Sequence, residues 1–277
     1  MYSQAMSEVL LIDDHDPAIT VLTLNRPDKR NALSIELIEH VTRAIEDARK
    51  DLNRRVIIIR GEGPAFCAGL DLKEASDPTK AHGSAVGLCE MYRTICESPL
   101  ITIAAAHGVA MGGGAGLVAA CDFAVASEDL RLAYPEVHRG LTAALVTTLL
   151  RRQLNDRQVR ELVLLGQSVD AQNALELGLL NRVVPSGRLV EAALDLARNA
   201  CKGAPGAIAR SKKLLDDLAP RPISLELNRS IEYHLSARNS AEAQEGVAAF
   251  LEKRTPRWGP RPEGDPTAKP QPKEPKE

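Results

Sequence analysis

Two glycine-rich turns, each directly after a short apolar run, constrain most strongly what this chain folds into. Residues 56–59 (VIII) and 100–106 (LITIAAA) are largely apolar runs, typical of strands that are buried on both faces. Residues 61–71 (GEGPAFCAGLD) follow the first run, and residues 107–116 (HGVAMGGGAG) follow the second. Each unit therefore has the form of a strand, a tight turn and the start of a helix.

Strands and helices alternate along the first half of the chain. Residues 18–24 (AITVLTL) are rich in β-branched side chains and predict a strand, and Ser34 is placed to cap the helix that follows. Another helix is predicted over 85–97, and shorter strands over 123–126 and 130–134. This alternation indicates an α/β fold in which helices and sheets form layers.

The second half of the chain is mostly helical. Apolar residues recur there at helical spacing in seven segments: 141–154, 156–165, 171–177, 189–201, 207–218, 224–236 and 241–253. Residues 181–184 form a short extended break between them. We divide the chain into a core over 1–200, a C-terminal helical region over 201–254 and a tail over 255–277. The tail is rich in Pro, Lys and Glu and is expected to be disordered.

Composition argues against several classes of function. Hydrophobic residues make up 44% and charged residues 26% of the chain, as in an ordinary globular protein, and the formal net charge is -2. With that charge, no basic stripe and no aromatic platform, nothing suggests a nucleic acid as partner. No apolar segment is long enough to cross a membrane, and the N-terminus lacks a signal-peptide pattern. A cytoplasmic protein without a membrane partner is therefore expected.

The five cysteines favour neither a disulfide framework nor a metal site. Their number is odd and none forms a C-x-x-C pair, which favours free buried thiols in a reducing compartment. No group of His, Cys and Asp has metal-ligand spacing, and no G-x-S-x-G elbow is present. We therefore expect no bound metal ion.

The two glycine-rich turns allow more than one interpretation of their chemistry. Glycine lets a ligand approach the main chain closely, and the first N–H groups of a helix lack partners and carry partial positive charge. Two such turns side by side can direct two N–H donors at one oxygen, which is an oxyanion hole. Alternatively, the glycines serve only tight turns and close helix packing. A nucleotide loop is disfavoured, because neither G-x-x-x-x-G-K-[ST] nor G-x-G-x-x-G is present.

Several motifs together resemble those of the crotonase (enoyl-CoA hydratase/isomerase) superfamily, in order and in spacing, over the chain up to about residue 254. The motifs are residues 25–33 (NRPDKRNAL), 65–71 (AFCAGLD), 112–114 (GGG), 134–136 (YPE) and 250–254 (FLEKR). In the superfamily, similar segments form a loop that contacts coenzyme A, two oxyanion turns, the catalytic glutamate segment and the end of a C-terminal helix.

The resemblance implies roles for individual residues. It implies that the backbone N–H groups of Ala68 and Gly113 form the oxyanion hole, and that Glu136 is the catalytic acid and base with a pKa raised toward neutrality. Without the resemblance, Glu136 fits a solvated residue at a helix start. Contacts with coenzyme A or the acyl chain are implied for Lys29, Arg30, Ala32, Ala65, Phe66, Gly69, Leu70, Asp71, Gly112, Tyr134 and Lys253.

One position departs from the pattern of typical hydratases. They place a second glutamate two residues after the third glycine of the triplet, where this chain has Gly116. Paired carboxylates normally hold the attacking water between them. Glu136 therefore acts alone or with another group, and single-glutamate isomerases of the superfamily also work with one base.

The resemblance also implies a fold, an activity and an assembly. The expected fold is a spiral of ββα units that form two roughly perpendicular sheets, followed by a C-terminal helical region for oligomerisation. The expected activity is hydration of a 2-enoyl-CoA in acyl-CoA and fatty acid metabolism, with isomerisation of a 3-enoyl-CoA and non-catalytic acyl-CoA binding as alternatives. A trimer or a dimer of trimers is expected. Coenzyme A is part of the substrate, so no separate cofactor is expected.

Four other residues near the motifs have structural interpretations. Asp71 is placed to cap a helix, Cys67 to pack beside the first turn, and His107 to end a strand. His138 is two positions from Glu136, which disfavours a direct dyad. Residues 77–85 are predicted to form a loop over the acyl pocket.

Overall fold

A computed structural model describes residues 9–259 of the chain. The strands are β1 Leu10–Asp16, β2 Ile19–Leu24, β3 Val56–Gly61, β4 Ile101–Ala106, β5 Val109–Met111, β6 Phe123–Ser127, β7 Arg131–Ala133, β8 Val169–Asp170 and β9 Arg182–Val184. The helices are α1 Ile35–Lys50, α2 Leu72–Ser76, α3 Ala81–Cys96, α4 Gly113–Ala120, α5 Ala144–Leu150, α6 Asp156–Leu165, α7 Ala171–Leu177, α8 Leu189–Ala200, α9 Pro205–Asp217, α10 Ile223–Arg238 and α11 Ala241–Leu251. Two short 3-10 helices, Pro27–Lys29 and Pro135–Arg139, carry residues of the site described below.

A six-stranded sheet forms the centre of the fold, in the order β1-β2-β3-β4-β6-β9. β1 pairs with β2 in the antiparallel direction, and all other neighbours in this sheet are parallel. A smaller sheet has the order β5-β7-β8, with β5 parallel to β7 and β8 antiparallel to it. Helices connect the parallel strands, as such strands require. The α/β prediction is confirmed.

The central strands are apolar throughout because protein covers both faces of the large sheet. Ile57 and Ile59 of β3 lie in the main core, while Val56 and Ile58 belong to a second cluster with residues of α8. Since successive side chains of a strand point to opposite faces, a continuous apolar run is what a strand between two layers requires. The glycine-rich turns therefore begin from a rigid, fully buried platform.

Side-chain caps fix the helices next to the site. The Ser34 hydroxyl accepts a hydrogen bond of 3.2 Å from the Leu37 N–H at the start of α1, as predicted. The Asp71 carboxylate accepts one of 3.2 Å from the Lys73 N–H at the start of α2, which confirms the predicted cap. Both caps satisfy main-chain donors that otherwise lack partners.

The predicted loop over 77–85 is wrong in its second half. Helix α3 begins at Ala81, so Gly83 is a helical residue rather than part of a loop. The helix start carries no side-chain cap, and Lys80 occupies the N-cap position. Lys80 and Ala81 offer no helix-start signal of the kind that Ser34 gives at α1. The start of α3 is held instead by its packing against α1 and α10.

Most of the predicted tail lies outside the described residues, which end at 259. The predicted helices over 189–253 are all present as α8, α9, α10 and α11. In the part of the chain that the structure describes, no helix combines the length and apolar character needed to cross a bilayer.

Candidate active site

The two glycine-rich turns lie side by side at the carboxyl edge of β3 and β4, which are parallel neighbours. The Phe66 N–H donates to the His107 carbonyl oxygen at 2.9 Å, and the Cys67 N–H donates to the Val109 carbonyl oxygen at 3.0 Å. The Met111 N–H returns a bond of 3.0 Å to the Cys67 carbonyl oxygen. These main-chain bonds join the two turns into one unit.

Two glycines are required for this close approach. Gly69 has a φ of +95°, and a Cβ added to it would lie 2.7 Å from the Met111 carbonyl oxygen. A Cβ on Gly114 would lie 2.8 Å from the Cβ of Cys67 and would collide with the Cys67 carbonyl oxygen. Close packing therefore explains these glycines, but it does not account for the donors that the turns leave free.

The main-chain N–H groups of Leu70 and of Gly113, the first residue of α4, lie at the junction of the turns and have no acceptor among the described residues. A Cβ built on Gly113 would lie 3.6 Å from the Leu70 nitrogen, so the two donors are neighbours. The prediction for Ala68 is wrong, because its N–H donates to the Arg30 carbonyl oxygen at 2.9 Å and is not free.

The carboxyl group of Glu136 lies beside these donors. Glu136 is on the 3-10 helix Pro135–Arg139, and a Cβ built on Gly112 would lie 3.2 Å from its Oε1 atom. The Oε2 atom is buried and has no hydrogen-bond partner in the described chain. Burial raises the pKa of Glu136 to about 7, although a hydrogen bond with its own main chain and the nearby charge of Arg139 lower it. Such a carboxyl group accepts and releases protons readily near neutral pH.

These groups line one cavity with a volume of about 280 Å³. Nine residues that the sequence predicted for the site line it: Lys29, Ala32, Ala68, Gly69, Leu70, Asp71, Gly112, Gly113 and Glu136. The structure thus brings together segments that are more than 100 residues apart in the sequence, as the resemblance implied.

Five predicted contact residues do not line the cavity. Ala65, Phe66 and Tyr134 are completely buried in the core, so the prediction that they contact substrate is wrong. Their place in the motifs follows from packing under the turns. Arg30 and Lys253 are exposed side chains outside the cavity. A role for them toward coenzyme A stays a prediction.

Asn31 organises the first turn, a role that the sequence patterns did not reveal. Its side chain is buried, and its Nδ2 atom donates to the carbonyl oxygens of Glu62 at 2.9 Å and Ala65 at 2.7 Å. Its Oδ1 atom accepts from the Arg26 N–H at 2.8 Å. The Arg26 guanidinium in turn forms an ion pair of 3.0 Å with Asp71. This network holds the main chain on both sides of the free Leu70 amide.

The rest of the cavity wall comes from residues for which the sequence predicted no individual role. It includes Arg139, Leu141, Thr142, Ala143, Ala144, Leu145, Val146, His234, Phe250 and Leu251. α10 and α11, expected to serve oligomerisation, thus fold over the cavity of their own chain. Burial and the nearby Arg238 lower the pKa of His234 to about 4, so this histidine is neutral near pH 7.

Tyr92 fills the place of the missing second glutamate. Its side chain is completely buried, and its hydroxyl donates to the Gly113 carbonyl oxygen at 2.7 Å. A Cβ on Gly116 would collide with that hydroxyl and would lie 2.8 Å from the Cγ1 atom of Val146. Of the two carboxylates that line the cavity, Asp71 is paired with Arg26, which leaves Glu136 as the one without a partner.

His107, His138 and Cys67 have the structural roles that the sequence predicted. His107 donates from Nε2 to the Gly63 carbonyl oxygen at 2.8 Å, and His138 donates to that of Leu165 at 2.8 Å, so neither is free to act with Glu136. Burial raises the pKa of the Cys67 thiol to about 12, which makes it a packing residue rather than a nucleophile. No group of three or more potential metal ligands is found within residues 9–259.

A family model described as enoyl-CoA hydratase/isomerase matches residues 14–261, nearly the whole chain. The chain belongs to this enoyl-CoA hydratase/isomerase family. Two relatives support the assignment. A mevalonyl-coenzyme A hydratase of Aspergillus fumigatus is 34% identical over 259 residues, covering 90% of this chain and 94% of the relative. A mitochondrial enoyl-CoA hydratase domain-containing protein 3 of Danio rerio is 32% identical over 258 residues, covering 91% and 88%.

Solved structures of the family have the same fold. An enoyl-CoA hydratase from Mycobacterium avium superposes with a TM-score of 0.80 at 34% identity, covering 92% of this chain and all of that chain. A carnitinyl-CoA hydratase from the same organism superposes with a TM-score of 0.78 at 32% identity, covering 91% and 99%. The predicted crotonase fold is thereby confirmed.

Proposed function

We propose that this chain adds water to a 2-enoyl-CoA thioester, with the N–H groups of Leu70 and Gly113 as the oxyanion hole and Glu136 as acid and base. One observation carries the proposal: two free main-chain donors and one unpaired, buried carboxyl group meet in a single cavity. Membership of the enoyl-CoA hydratase/isomerase family supports a coenzyme A thioester as the substrate class.

The reaction needs one carboxyl group and one anion site. The ionised Glu136 removes a proton from water while the water oxygen bonds to Cβ of the substrate. The electron pair of the double bond moves toward the thioester, and negative charge develops on the thioester oxygen. Leu70 and Gly113 donate to that oxygen, and Glu136 then returns its proton to Cα. The product is a 3-hydroxyacyl-CoA, and Glu136 is ionised again.

The two donors stabilise the enolate strongly because they are preorganised. Removing one oxyanion-hole donor in well-studied enzymes costs about 3–4 kcal/mol of transition-state stabilisation. Here the hydrogen-bonded turns and the buried Asn31 fix both donors before the substrate binds. No rearrangement of the main chain is therefore needed as charge develops.

Isomerisation of a 3-enoyl-CoA is the second candidate, and Tyr92 favours it. The tyrosine occupies the space in which a second carboxylate would hold water, so the cavity keeps one proton carrier. In that reaction Glu136 removes a proton from C2 and returns it to C4, and the same donors stabilise the dienolate. This reaction requires no water.

Spectroscopy with two esters separates these candidates. Purified protein that hydrates crotonyl-CoA removes the enoyl-thioester absorbance and yields 3-hydroxybutyryl-CoA, identified by mass spectrometry. An isomerase instead generates that absorbance from a 3-enoyl-CoA. Glu136→Gln is expected to abolish turnover of either ester, while Glu128→Gln, at an exposed glutamate, leaves it unchanged. Absence of turnover of both esters by the unsubstituted protein would favour acyl-CoA binding without catalysis.

Coenzyme A phosphates need cations at the entrance of the cavity. Lys29 lines the cavity, and Arg30 lies next to it on the exposed side. Lys253 follows Phe250 and Leu251, which line the opposite side. We assign phosphate binding to these three side chains as part of the proposal. Each contributes as an exposed charge, so binding through them weakens as salt rises.

A further inference from the structure

Arg139 shares one face of a short helix with the proposed acid and base. The 3-10 helix Pro135–Arg139 has three residues per turn, so residues 136 and 139 lie one above the other. Both line the cavity. They lie about 6 Å apart along the helix axis, since each residue of a 3-10 helix rises about 2 Å. Arg139 therefore faces the same cavity as the proposed acid and base, one helical turn away.

Arg139 has no ion-pair partner in the described chain, although the charge of Glu136 acts on it. Its Nε atom is buried without a hydrogen-bond partner, and its Nη1 atom makes one long bond, 3.4 Å, to the Pro135 carbonyl oxygen. The guanidinium group lies 4.3 Å from the centre of the Phe250 ring. Among residues 9–259, no carboxylate forms an ion pair with it, and Glu136 is the nearest acid to influence its pKa.

A half-buried cation with a buried, unsatisfied Nε atom and no ion-pair partner is costly to keep, which points to a partner that arrives with the substrate. Burial lowers the pKa of Arg139, but a guanidinium group stays charged at any physiological pH. Of three buried side-chain polar atoms that lack a partner in the described chain, two belong to Glu136 and Arg139 in this one cavity. The proposed proton transfer accounts for the unpaired atom of Glu136, but it does not account for that of Arg139.

The phosphates of coenzyme A are not that partner. They lie at the far end of the pantetheine arm from the thioester, whereas Arg139 is one helical turn from the group that acts on the acyl carbons. A neutral hydrocarbon chain does not satisfy the cation either. A carboxylate on the acyl group does, because it supplies charge and accepts the planar donors of a guanidinium in pairs.

We propose that the acyl group of the substrate carries a terminal carboxylate and that Arg139 binds it. This inference rests on the proposed function for the location of the acyl group. Because residues 136 and 139 are one helical turn apart and line the same cavity, the acyl chain that we propose is a short dicarboxylic one, whose free acid lies one or two carbons beyond the reacting double bond. Arg139 is thus a residue that determines specificity.

Binding of a matched pair of saturated esters tests the inference without any turnover. Glutaryl-CoA differs from butyryl-CoA by one terminal carboxyl group, and neither ester has a double bond to react. Calorimetry on the full chain is expected to show roughly 10- to 100-fold tighter binding of glutaryl-CoA, the range that a charged hydrogen-bonded pair gives. Equal affinities, or tighter binding of butyryl-CoA, would overturn the proposal.

Substitutions show whether Arg139 causes the preference. Arg139→Leu is expected to bring the ratio of the two dissociation constants close to one, and Arg139→Lys to keep part of it. Arg157→Leu removes an exposed arginine and is the matched control, with the ratio unchanged. Equal loss of preference in the control would show a general charge effect and refute the role of Arg139. If Arg139→Leu does not fold, the Lys variant and the unsubstituted protein still decide the question.

Turnover of glutaconyl-CoA and crotonyl-CoA separates this inference from the proposed function. Turnover of both with a higher kcat/KM for glutaconyl-CoA supports both proposals. Turnover of both with a preference for crotonyl-CoA keeps the hydratase proposal and overturns the carboxylate site. If neither ester reacts but glutaryl-CoA binds more tightly than butyryl-CoA, the carboxylate site stands and the hydration proposal fails.

Discussion

At Glu136, the demands of folding and of proton transfer oppose each other. A buried carboxyl group with one oxygen that lacks a hydrogen-bond partner is unfavourable when it is ionised, and burial raises the pKa of Glu136 to about 7. The same pKa makes the group an effective proton carrier near neutral pH. The protein therefore keeps at its centre a residue that a purely structural optimum would replace.

The pKa of Glu136 predicts the pH dependence of activity. The base must be ionised in the free enzyme, so kcat/KM is expected to fall about tenfold per pH unit below pH 7 and to level off above it. Initial rates measured between pH 5 and pH 9, at a saturating and at a limiting concentration of the ester, check this pH dependence. If kcat/KM instead begins to fall only near pH 4.5, the ordinary pKa of a glutamate, the result would contradict the buried state of the carboxyl group.

The same shift predicts that Glu136→Gln is more stable than the unsubstituted protein at high pH. Because the folded-state pKa is above the ordinary value of 4.5, the folded protein binds this proton more tightly than the unfolded chain does. That stabilisation is present below pH 4.5 and is lost as pH rises through about 7. A shift of this size corresponds to about 3 kcal/mol.

Urea unfolding of both proteins at pH 5 and pH 8 measures the effect. The glutamine variant is expected to gain stability relative to the unsubstituted protein at pH 8 and to gain much less at pH 5. Glu128→Gln, at an exposed site, serves as the control and should show little difference at either pH. An equal difference at both values would assign the effect to packing instead of titration.

At the scale of elements, the contact between α3 and α4 depends on Gly116. Gly116→Ala is expected to destabilise the protein by about 1–3 kcal/mol, because a methyl group there collides with the Tyr92 hydroxyl and crowds Val146. Denaturant midpoints measure the change. Gly187→Ala is the matched control, since no atom lies within 4 Å of its added Cβ. Similar midpoints for both variants would mean that Tyr92 does not fill this space.

The main elements could be predicted where the local pattern and the packing agree. β3 and β4 lie between two apolar layers, and their sequences are apolar throughout. β1 was not predicted, because Asp13, Asp14 and Asp16 make it resemble a loop. It is an edge strand that pairs only with β2, so one side of it needs no apolar partner.

The candidate site was predictable in its location but not in its details. The motifs placed both turns and Glu136 correctly, but spacing alone does not tell which amide of residues 67–71 is free. The Ala68 N–H is not free because it donates to the Arg30 carbonyl oxygen, which depends on the fold of a loop distant in sequence. His234 reaches the cavity only through the packing of α10, and no local pattern records such packing.

At the scale of the whole molecule, α9 leaves apolar surface uncovered. Leu214 and Leu215 of α9, and Leu218 directly after it, are 55%, 73% and 74% exposed, and an exposed apolar cluster of this kind is typical of a contact between proteins. We expect the trimer or dimer of trimers that the family resemblance implies, with α9 at an interface. Light scattering is then expected to give the mass of three or six chains.

Charge placed on that surface should disrupt the assembly. Leu215→Asp is expected to give a smaller species, because a carboxylate in an apolar interface loses its hydration without a partner. Leu52→Asp is the matched control at an isolated leucine that is 95% exposed, and it should leave the mass unchanged. A single-chain mass for the unsubstituted protein would refute the predicted assembly.

The free donors of Leu70 and Gly113 belong to the peptide groups, and this has a consequence for mutational surveys. Every encoded amino acid except proline supplies an N–H at these positions, so systematic replacement by alanine at Leu70 leaves its donor in place. A deep mutational scan would thus find that substitutions of Leu70 are tolerated, even though we propose that its N–H stabilises the developing charge. Replacing the amide itself by an ester linkage, through chemical ligation, removes the donor and exposes what side-chain genetics overlooks.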